Sequence, residues 1–213
     1  MSLIGEKDRE HLRNEFSKLS RPVRLVFFTQ EFECASCRDT HQLLEEVTAL
    51  SEKIKLVVHD LVKDEEKAKS YGIDRVPAVV VEGERDCGIR FFGIPSGYEF
   101  PSLIEDISGV GTGKVGLSNT TKDELEKLKE AVHIQVFVTP GCPYCQRAVR
   151  TAHMMAMAST KVTADMVMAN EFPHLANRYG VMAVPKVVLN ESTSFEGALP
   201  EEDFLSFVMQ AAA

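Results

Sequence analysis

The sequence predicts an α/β protein made of two tandem copies of one unit, and three observations support this prediction. A Cys-x-x-Cys pair occurs twice, and the separation along the chain from Cys34 to Pro77 equals that from Cys142 to Pro185. Apolar segments of strand length alternate with helical segments in the same order around both pairs. The length of 213 residues also fits two compact units of about 100 residues each.

The two copies align closely. Residues 34–80 match residues 142–188 without a gap, and each proline is preceded by a similar tyrosine-glycine segment. Immediately upstream, the first copy carries two additional residues before its cysteine pair. This insertion places Glu31 and Glu33 beside the first pair only.

The first half of each copy is predicted as helix, strand and helix. A charged amphipathic segment predicts the first helix, which in the second copy opens with Thr121 and Glu124 as a capping box. A buried apolar strand follows and leads into the cysteine pair, where the next helix starts. The predicted bounds are about 6–19 and 121–131 for the first helices, and about 23–29 and 133–139 for the strands.

The second half of each copy is predicted as a strand, a short helix, two strands joined by a turn, and a final helix. The valine-proline step opens the third strand of each copy. The predicted positions are strands at 54–59 and 162–167, short helices ending at 72 and 180, and turns near 83 and 190.

A glycine-rich stretch from Ser108 to Ser118 is predicted to connect the two copies. The chain is therefore divided into an N-terminal unit, 1–112, which carries Cys-Ala-Ser-Cys, and a C-terminal unit, 113–213, which carries Cys-Pro-Tyr-Cys.

Composition and charge exclude several classes of function. The net charge of −8 gives no basic surface for nucleic acid or for an anionic membrane. No apolar run approaches the roughly 18 residues that span a bilayer, and the N-terminus is charged and lacks a hydrophobic signal segment. Four of the five cysteines lie in close pairs, which is typical of redox or metal sites rather than of a secreted disulfide framework. We therefore expect a cytoplasmic protein.

The cysteine pairs predict thiol-disulfide exchange. A thiolate is the nucleophile, and a helix N-terminus favours the anion through its free N–H groups and its dipole. We expect the first cysteine of each pair, Cys34 or Cys142, to attack a disulfide. The second cysteine, Cys37 or Cys145, lies one helical turn away and can resolve the mixed disulfide.

The valine-proline steps are candidate substrate-binding elements. An X-Pro peptide is the common route to a cis bond, and proline has no N–H group to close a ladder. Val76 before Pro77, and Val184 before Pro185, are then free to pair with an extended substrate segment through their backbones. A proline that merely opens a strand is the alternative, but both copies keep the same separation from the cysteines.

The order of elements, with the cysteine pair at a strand-to-helix turn and X-Pro opposite it, resembles the thioredoxin fold. The tandem arrangement, Cys-Pro-Tyr-Cys, and residues 90–100 resemble the glutaredoxin-like protein disulfide oxidoreductases of archaea and thermophilic bacteria. The resemblance implies two fused thioredoxin folds, each a mixed four-stranded sheet flanked by helices, and disulfide exchange as the activity.

The resemblance also implies an electron-donating partner, and the sequence departs from thioredoxin at one position of each unit. No dinucleotide fingerprint opens a helix, so no cofactor is expected, and a thioredoxin-reductase-like flavoprotein using NADPH is the implied electron donor. The buried aspartate that thioredoxin has six residues before the first cysteine is replaced by Phe28 and Val136. If a carboxylate assists the resolving cysteine, it has to come from elsewhere.

Two alternative functions and the role of the fifth cysteine remain to be considered. The four thiolates of the two pairs could bind zinc, but the pairs are separated by far more residues than the pairs of a zinc ribbon, so no metal site is assigned. Cys87 has no partner motif and is interpreted as structural. Glutathione-linked glutaredoxin activity is favoured by Cys-Pro-Tyr-Cys and by residues 195–203, a glycine-containing acidic segment in which Ala198 replaces a second glycine.

The two sites are predicted to differ in thiolate pKa. Glu31 and Glu33 disfavour a thiolate at Cys34, whereas no charged residue accompanies Cys142. Arg38 favours the thiolate in the first unit and so opposes the effect of the two glutamates. We expect the lower thiol pKa at Cys142 and most reductase activity in the second unit. Alkylation rate against pH, in variants that retain one dithiol, tests this expectation, and equal midpoints would refute it.

Overall fold

The computed structural model describes residues 2–213, and the predicted order of elements is confirmed in both copies. The elements of the N-terminal unit are α1 Glu6–Ser17, β1 Val23–Thr29, α2 Cys37–Thr48, β2 Ile54–Asp60, α3 Glu65–Tyr71, β3 Ala78–Glu82, β4 Asp86–Phe92, a 3-10 turn Gly97–Glu99, and α4 Phe100–Thr112. Those of the C-terminal unit are α5 Asn119–Glu126, β5 Val132–Val138, α6 Cys145–Ala158, β6 Val162–Met168, α7 Pro173–Arg178, β7 Lys186–Leu189, β8 Thr193–Glu196, and α8 Glu201–Ala211.

The two four-stranded sheets are joined into one eight-stranded sheet, which the sequence did not predict. The strand order is β2-β1-β3-β4-β6-β5-β7-β8. At the junction, β4 of the first unit pairs in parallel with β6 of the second, with Phe92 opposite Val167. The backbone groups that would form an exposed edge on each unit are therefore satisfied by the other unit.

Helices cover both faces of this sheet unequally. The larger apolar core packs α1, α2, α4, α5, α6 and α8 against one face, with contributions such as Phe16, Leu44, Leu103, Met155 and Phe204. The smaller core packs α3 and α7 against the opposite face. The strands are apolar on both sides because both faces are covered.

The predicted connector from Ser108 to Ser118 is wrong in its first half. The helix α4 continues through this stretch to Thr112, and the connection consists of the few residues before α5. The glycine at 111 allows close packing instead of flexibility, since a Cβ atom there would lie 2.5 Å from Leu19 Cδ2. Its carbonyl accepts hydrogen bonds from the N–H groups of Ser20 and Arg21, both at 2.9 Å.

The predicted capping box at Thr121 is also wrong. The helix α5 begins at Asn119, and its N-cap is Ser118, whose hydroxyl accepts a hydrogen bond from the Thr121 N–H group at 3.1 Å. The Thr121 hydroxyl instead contacts Glu201 of α8 at 2.5 Å. The cap therefore ties the start of the second unit to its last helix.

Within residues 2–213, no helix is both long enough and apolar enough to cross a membrane.

The β4–β6 junction predicts an unusual sensitivity at Gly88. This residue has φ +74°, and a Cβ atom would lie 2.6 Å from the Val162 carbonyl oxygen of β6. We expect Gly88→Ala to lower the free energy of unfolding by more than about 2 kcal/mol, because both the backbone conformation and the contact become unfavourable.

The matched control is Gly72→Ala, at a glycine with φ +67° and no atom within 4 Å of the added Cβ. This change should lower the free energy of unfolding by only about 1 kcal/mol, the cost of the left-handed conformation. Denaturant unfolding of both oxidised variants measures the difference. Equal losses would mean that the contact across the junction does not limit stability.

Candidate active site

Both cysteine pairs lie at one edge of the sheet. The pairs follow β1 and β5, and these strands run in the same direction as β4 and β6, which connect the two units. Their carboxyl ends therefore share one edge. Since β1 and β5 are four places apart in the strand order, these two strands are separated by about 19 Å across the sheet.

In the first site, Cys34 is bonded to Cys37, with their Cα atoms 5.5 Å apart. The helix α2 begins at Cys37, which is only 5% exposed. Cys34 precedes the helix and is half-buried. The first cysteine is thus the more accessible of the two.

The second site has the same geometry. Cys142 is bonded to Cys145, with their Cα atoms 5.5 Å apart, and α6 begins at Cys145. Cys142 is 8% exposed, whereas Cys145 is fully buried. Both disulfides join cysteines of one unit, as expected for a separation of three residues.

The two valine-proline steps precede β3 and β7, the strands that pair with β1 and β5. Both peptide bonds, before Pro77 and before Pro185, are cis. In the second site, Cys142 Sγ lies 3.8 Å from the carbonyl oxygen of Val184. Val76 and Val184 are half-buried, and their prolines are buried.

A segment of the first unit, residues 93–98, runs between the two sites. At one end the Gly93 N–H group donates to the Pro77 carbonyl at 2.9 Å. At the other end the Tyr98 N–H group donates to the carbonyl oxygen of Pro140 at 3.3 Å, and a Cβ atom at Gly97 would lie 2.4 Å from the same oxygen. The segment therefore contacts the neighbourhood of both cysteine pairs.

A carboxylate of the second unit lies at the first site, and sequence reasoning missed it. Glu171 accepts a hydrogen bond from the hydroxyl of Ser36, the residue before Cys37, and another from the Ile94 N–H group at 2.9 Å. The alignment of the copies carried no signal for this contact, because it depends on β6 lying next to β4.

A buried polar cluster lies between the 3-10 turn, α4 and α6, the helix that begins at Cys145, and it was also missed. Glu99 is fully buried and accepts a hydrogen bond from the Ser102 hydroxyl at 2.8 Å. Nearby, Asp106 pairs with Nδ1 of the buried His153 of α6 at 2.6 Å. Burial raises the pKa of Glu99 above its ordinary value, although Ser102 and His153 act in the opposite direction.

The other candidates from the sequence are placed away from the cysteine pairs. Cys87 is a free, half-buried thiol, and burial raises its pKa. Glu201, in the acidic segment considered for glutathione, accepts a hydrogen bond from the Ser118 N–H group at 2.9 Å. Among residues 2–213, no three histidine, cysteine or acidic side chains are grouped to hold a metal ion.

Large apolar side chains are exposed around both sites. Phe32, two residues before Cys34, is 76% exposed, and Tyr144, inside the second cysteine pair, is 69% exposed. Met182, in the loop before Val184, is 91% exposed. The same edge of the sheet therefore presents reactive sulfur and an apolar contact surface.

The burial of Glu99 predicts a pH-dependent stability. A carboxyl whose pKa is raised in the folded state destabilises that state increasingly as pH rises above the unfolded value of about 4.3. Glu99→Gln removes the ionisation. We expect the unfolding free energy of the variant to rise relative to that of the parent as the pH increases from 4 to 8.

Urea unfolding at several pH values measures this difference, with Glu126→Gln, at an exposed position of α5, as the control. The control should show a difference from the parent that varies little with pH. A constant difference for Glu99→Gln, or one that falls as pH rises, would contradict the expectation.

Comparisons with known proteins agree with this geometry. A thioredoxin domain model matches the chain twice, over residues 26–105 and 132–210. The structure of a protein disulfide oxidoreductase from Aeropyrum pernix K1 superimposes with a TM-score of 0.92 at 35% identity, covering 98% of this chain and 93% of that one. The NTD_N/C domain of alkylhydroperoxide reductase AhpF from Enterococcus faecalis superimposes with a TM-score of 0.90 at 26% identity, covering 96% and 99% respectively.

Curated relatives are longer proteins. The F subunit of alkyl hydroperoxide reductase from Staphylococcus aureus (strain NCTC 8325) is 27% identical over 169 residues, which are 79% of this chain and 31% of the relative. NADH dehydrogenase of Bacillus subtilis is 26% identical over 169 residues, which are again 79% of this chain and 31% of the relative. The chain thus spans about a third of the length of these relatives.

The resemblance to tandem protein disulfide oxidoreductases is confirmed, and so is the prediction of thiol-disulfide oxidoreductase chemistry. Each half carries a disulfide-forming cysteine pair at the start of a helix. Because the thioredoxin domain model matches both halves and most of the chain, this protein belongs to the thioredoxin domain family, as a member with two fused units.

Proposed function

We propose that the chain exchanges disulfides with partner proteins at both cysteine pairs, with Cys34 and Cys142 as nucleophiles and Cys37 and Cys145 as resolving cysteines. The observation that carries this assignment of roles is the difference in burial within each pair. The first cysteine residue is the more exposed of each pair, and the second is buried at the first turn of a helix.

The exchange proceeds in two displacements. In the reducing direction, the thiolate of the first cysteine attacks one sulfur of the client disulfide and forms a mixed disulfide, while the client's other sulfur leaves as a thiolate. The resolving cysteine, once deprotonated, attacks the first and releases the second client sulfur. The client gains two electrons and takes up two protons, and the dithiol loses both and becomes a disulfide.

The valine-proline steps are proposed to hold the client backbone. Within residues 2–213, neither Val76 nor Val184 donates a backbone hydrogen bond to another part of the chain, so their N–H groups are free to pair with an extended segment. The Val184 carbonyl already faces Cys142. Exposed apolar side chains around the sites, among them Tyr144 and Met182, offer contact area to the client's flanking residues.

The electron donor is proposed to be a flavoprotein reductase that uses NADPH, acting in the cytoplasm. The relatives described as the F subunit of alkyl hydroperoxide reductase are longer reductase proteins, and this chain matches only about a third of their length. A reductase therefore accompanies the matching part in those relatives, which supports a reductase partner for this chain. Cytoplasmic conditions also keep thiols reduced, which suits a dithiol that has to be regenerated.

Glutathione-linked activity receives less support. In the acidic segment that suggested it, Glu201 accepts hydrogen bonds from the Ser118 N–H group and the Thr121 hydroxyl at the start of α5. This carboxylate is therefore engaged within the second unit.

Cysteine variants test the assignment of roles. We expect Cys145→Ser to accumulate a mixed disulfide between Cys142 and a protein client, because no resolving thiol remains in that unit. Cys142→Ser should reduce exchange at the second site to the uncatalysed rate. Insulin reduction and mass mapping of trapped species provide the measurements, each in a background with Cys34→Ser and Cys37→Ser.

Cys87→Ser is the control, since this thiol is half-buried and bonded to no other cysteine. It should leave the exchange rate unchanged. Trapping of a client on Cys145 instead of Cys142 would reverse the assigned roles. A rate that depends on glutathione and not on a flavoprotein reductase would favour glutaredoxin activity.

A further inference from the structure

The side chain of Glu171 crosses from the second unit to the first active site. It lies in the turn between β6 and α7, held by a hydrogen bond from its own N–H group to the Met168 carbonyl at 3.0 Å. Its carboxylate accepts hydrogen bonds from the Ser36 hydroxyl and from the Ile94 N–H group. Ser36 separates Ala35 from Cys37, so the contact reaches the loop that holds the first disulfide.

The strand order explains why only one unit makes such a contact. The strand β6 lies next to β4, so the turn after β6 lies over the residues that follow β4. The equivalent strand of the first unit, β2, is the outermost strand, with no unit beyond it. In the aligned copies, Lys63 occupies the position of Glu171, and Tyr144 that of Ser36.

Several charged groups surround the first cysteine pair. Arg75 and Asp74 pair with each other at 2.6 Å. Within residues 2–213, Glu171 is the charged side chain that hydrogen-bonds to the cysteine loop itself. The charged and titratable groups on the chain segments nearest the pair are Glu31, Glu33, Arg38, Asp39, His41, Asp74, Arg75 and Glu171.

We propose that Glu171 is a positioning residue of the first dithiol, supplied by the other unit. It fixes Ser36 and places a negative charge beside the cysteine loop, where it disfavours a thiolate. The first dithiol is therefore less acidic and a stronger reductant than it would be in its own unit alone. This inference rests on the disulfide exchange proposed for Cys34 and Cys37.

The redox step that Glu171 modulates is the two-electron couple of the first site. Reduction of the Cys34–Cys37 disulfide by a partner dithiol takes up two electrons and two protons and leaves the partner as a disulfide. At a pH where part of this dithiol is ionised, a charge that destabilises the thiolate shifts the equilibrium toward the disulfide.

The experiment uses the full chain with Cys142→Ser and Cys145→Ser, so that only the first pair titrates. Glu171→Gln retains an oxygen for the Ile94 N–H group and removes the charge. We expect its reduction equilibrium to move toward the dithiol by up to about tenfold, which is about 30 mV for a two-electron couple. The midpoint pH for alkylation of Cys34 should fall in the same variant.

Two controls isolate the contact between units. Lys63→Gln alters the matched position of the first unit and should leave the potential of the first dithiol unchanged. Glu171→Gln in a chain with Cys34→Ser and Cys37→Ser should leave the second dithiol unchanged. A purely structural role of Glu171 would lower the melting temperature without moving the potential or the alkylation midpoint, and that result overturns the inference.

The titration also separates this inference from the proposed function. If the first pair does not cycle between disulfide and dithiol in a redox buffer, exchange at that site is refuted and the role of Glu171 falls with it. If the pair cycles but Glu171→Gln leaves its potential unchanged, or shifts both dithiols equally, only the role of Glu171 is refuted.

Discussion

The parallel pairing of β4 with β6 is the interaction on which the rest of the molecule depends. It satisfies the backbone groups of two strands that would otherwise be exposed edges, and it turns two thioredoxin units into one sheet. Because β1, β4, β6 and β5 all run in one direction, the pairing also fixes where the two cysteine pairs lie. Both are at the carboxyl edge, on strands about 19 Å apart.

This placement has a chemical consequence for the two dithiols. The strands that lead into the two pairs are about 19 Å apart, which is too far for sulfur atoms of the two pairs to bond directly, yet residues 93–98 hydrogen-bond near both pairs. One extended partner surface could engage both sites along the same edge. The exposed side chains of Phe32, Tyr144 and Met182 lie along that edge as well.

The sequence was sufficient to predict each unit, because a repeated cysteine pair, a proline at equal separation and alternating apolar segments are all local signals. It predicted the cysteines, the prolines and their neighbours as candidate site residues. It misjudged the stretch from Ser108 because glycines usually indicate a loop, whereas Gly111 is required for close packing against Leu19. It could not predict Glu171 or the junction, since pairing between β4 and β6 depends on the relative placement of two whole units.

Strand order also explains why the two copies need not be chemically equal. After a duplication, each position begins with the same residue, but only the turn after β6 lies beside the active site of another unit. The turn after β2 faces no such neighbour, and there Lys63 lies 3.8 Å from Asp60 of its own unit. The carboxylate of Glu171 therefore contacts the cysteine loop of the other unit, while its counterpart, Lys63, contacts a residue of its own unit. The surroundings of the two dithiols thus differ because of how the sheets join, in addition to the residues that each copy carries around its own cysteines.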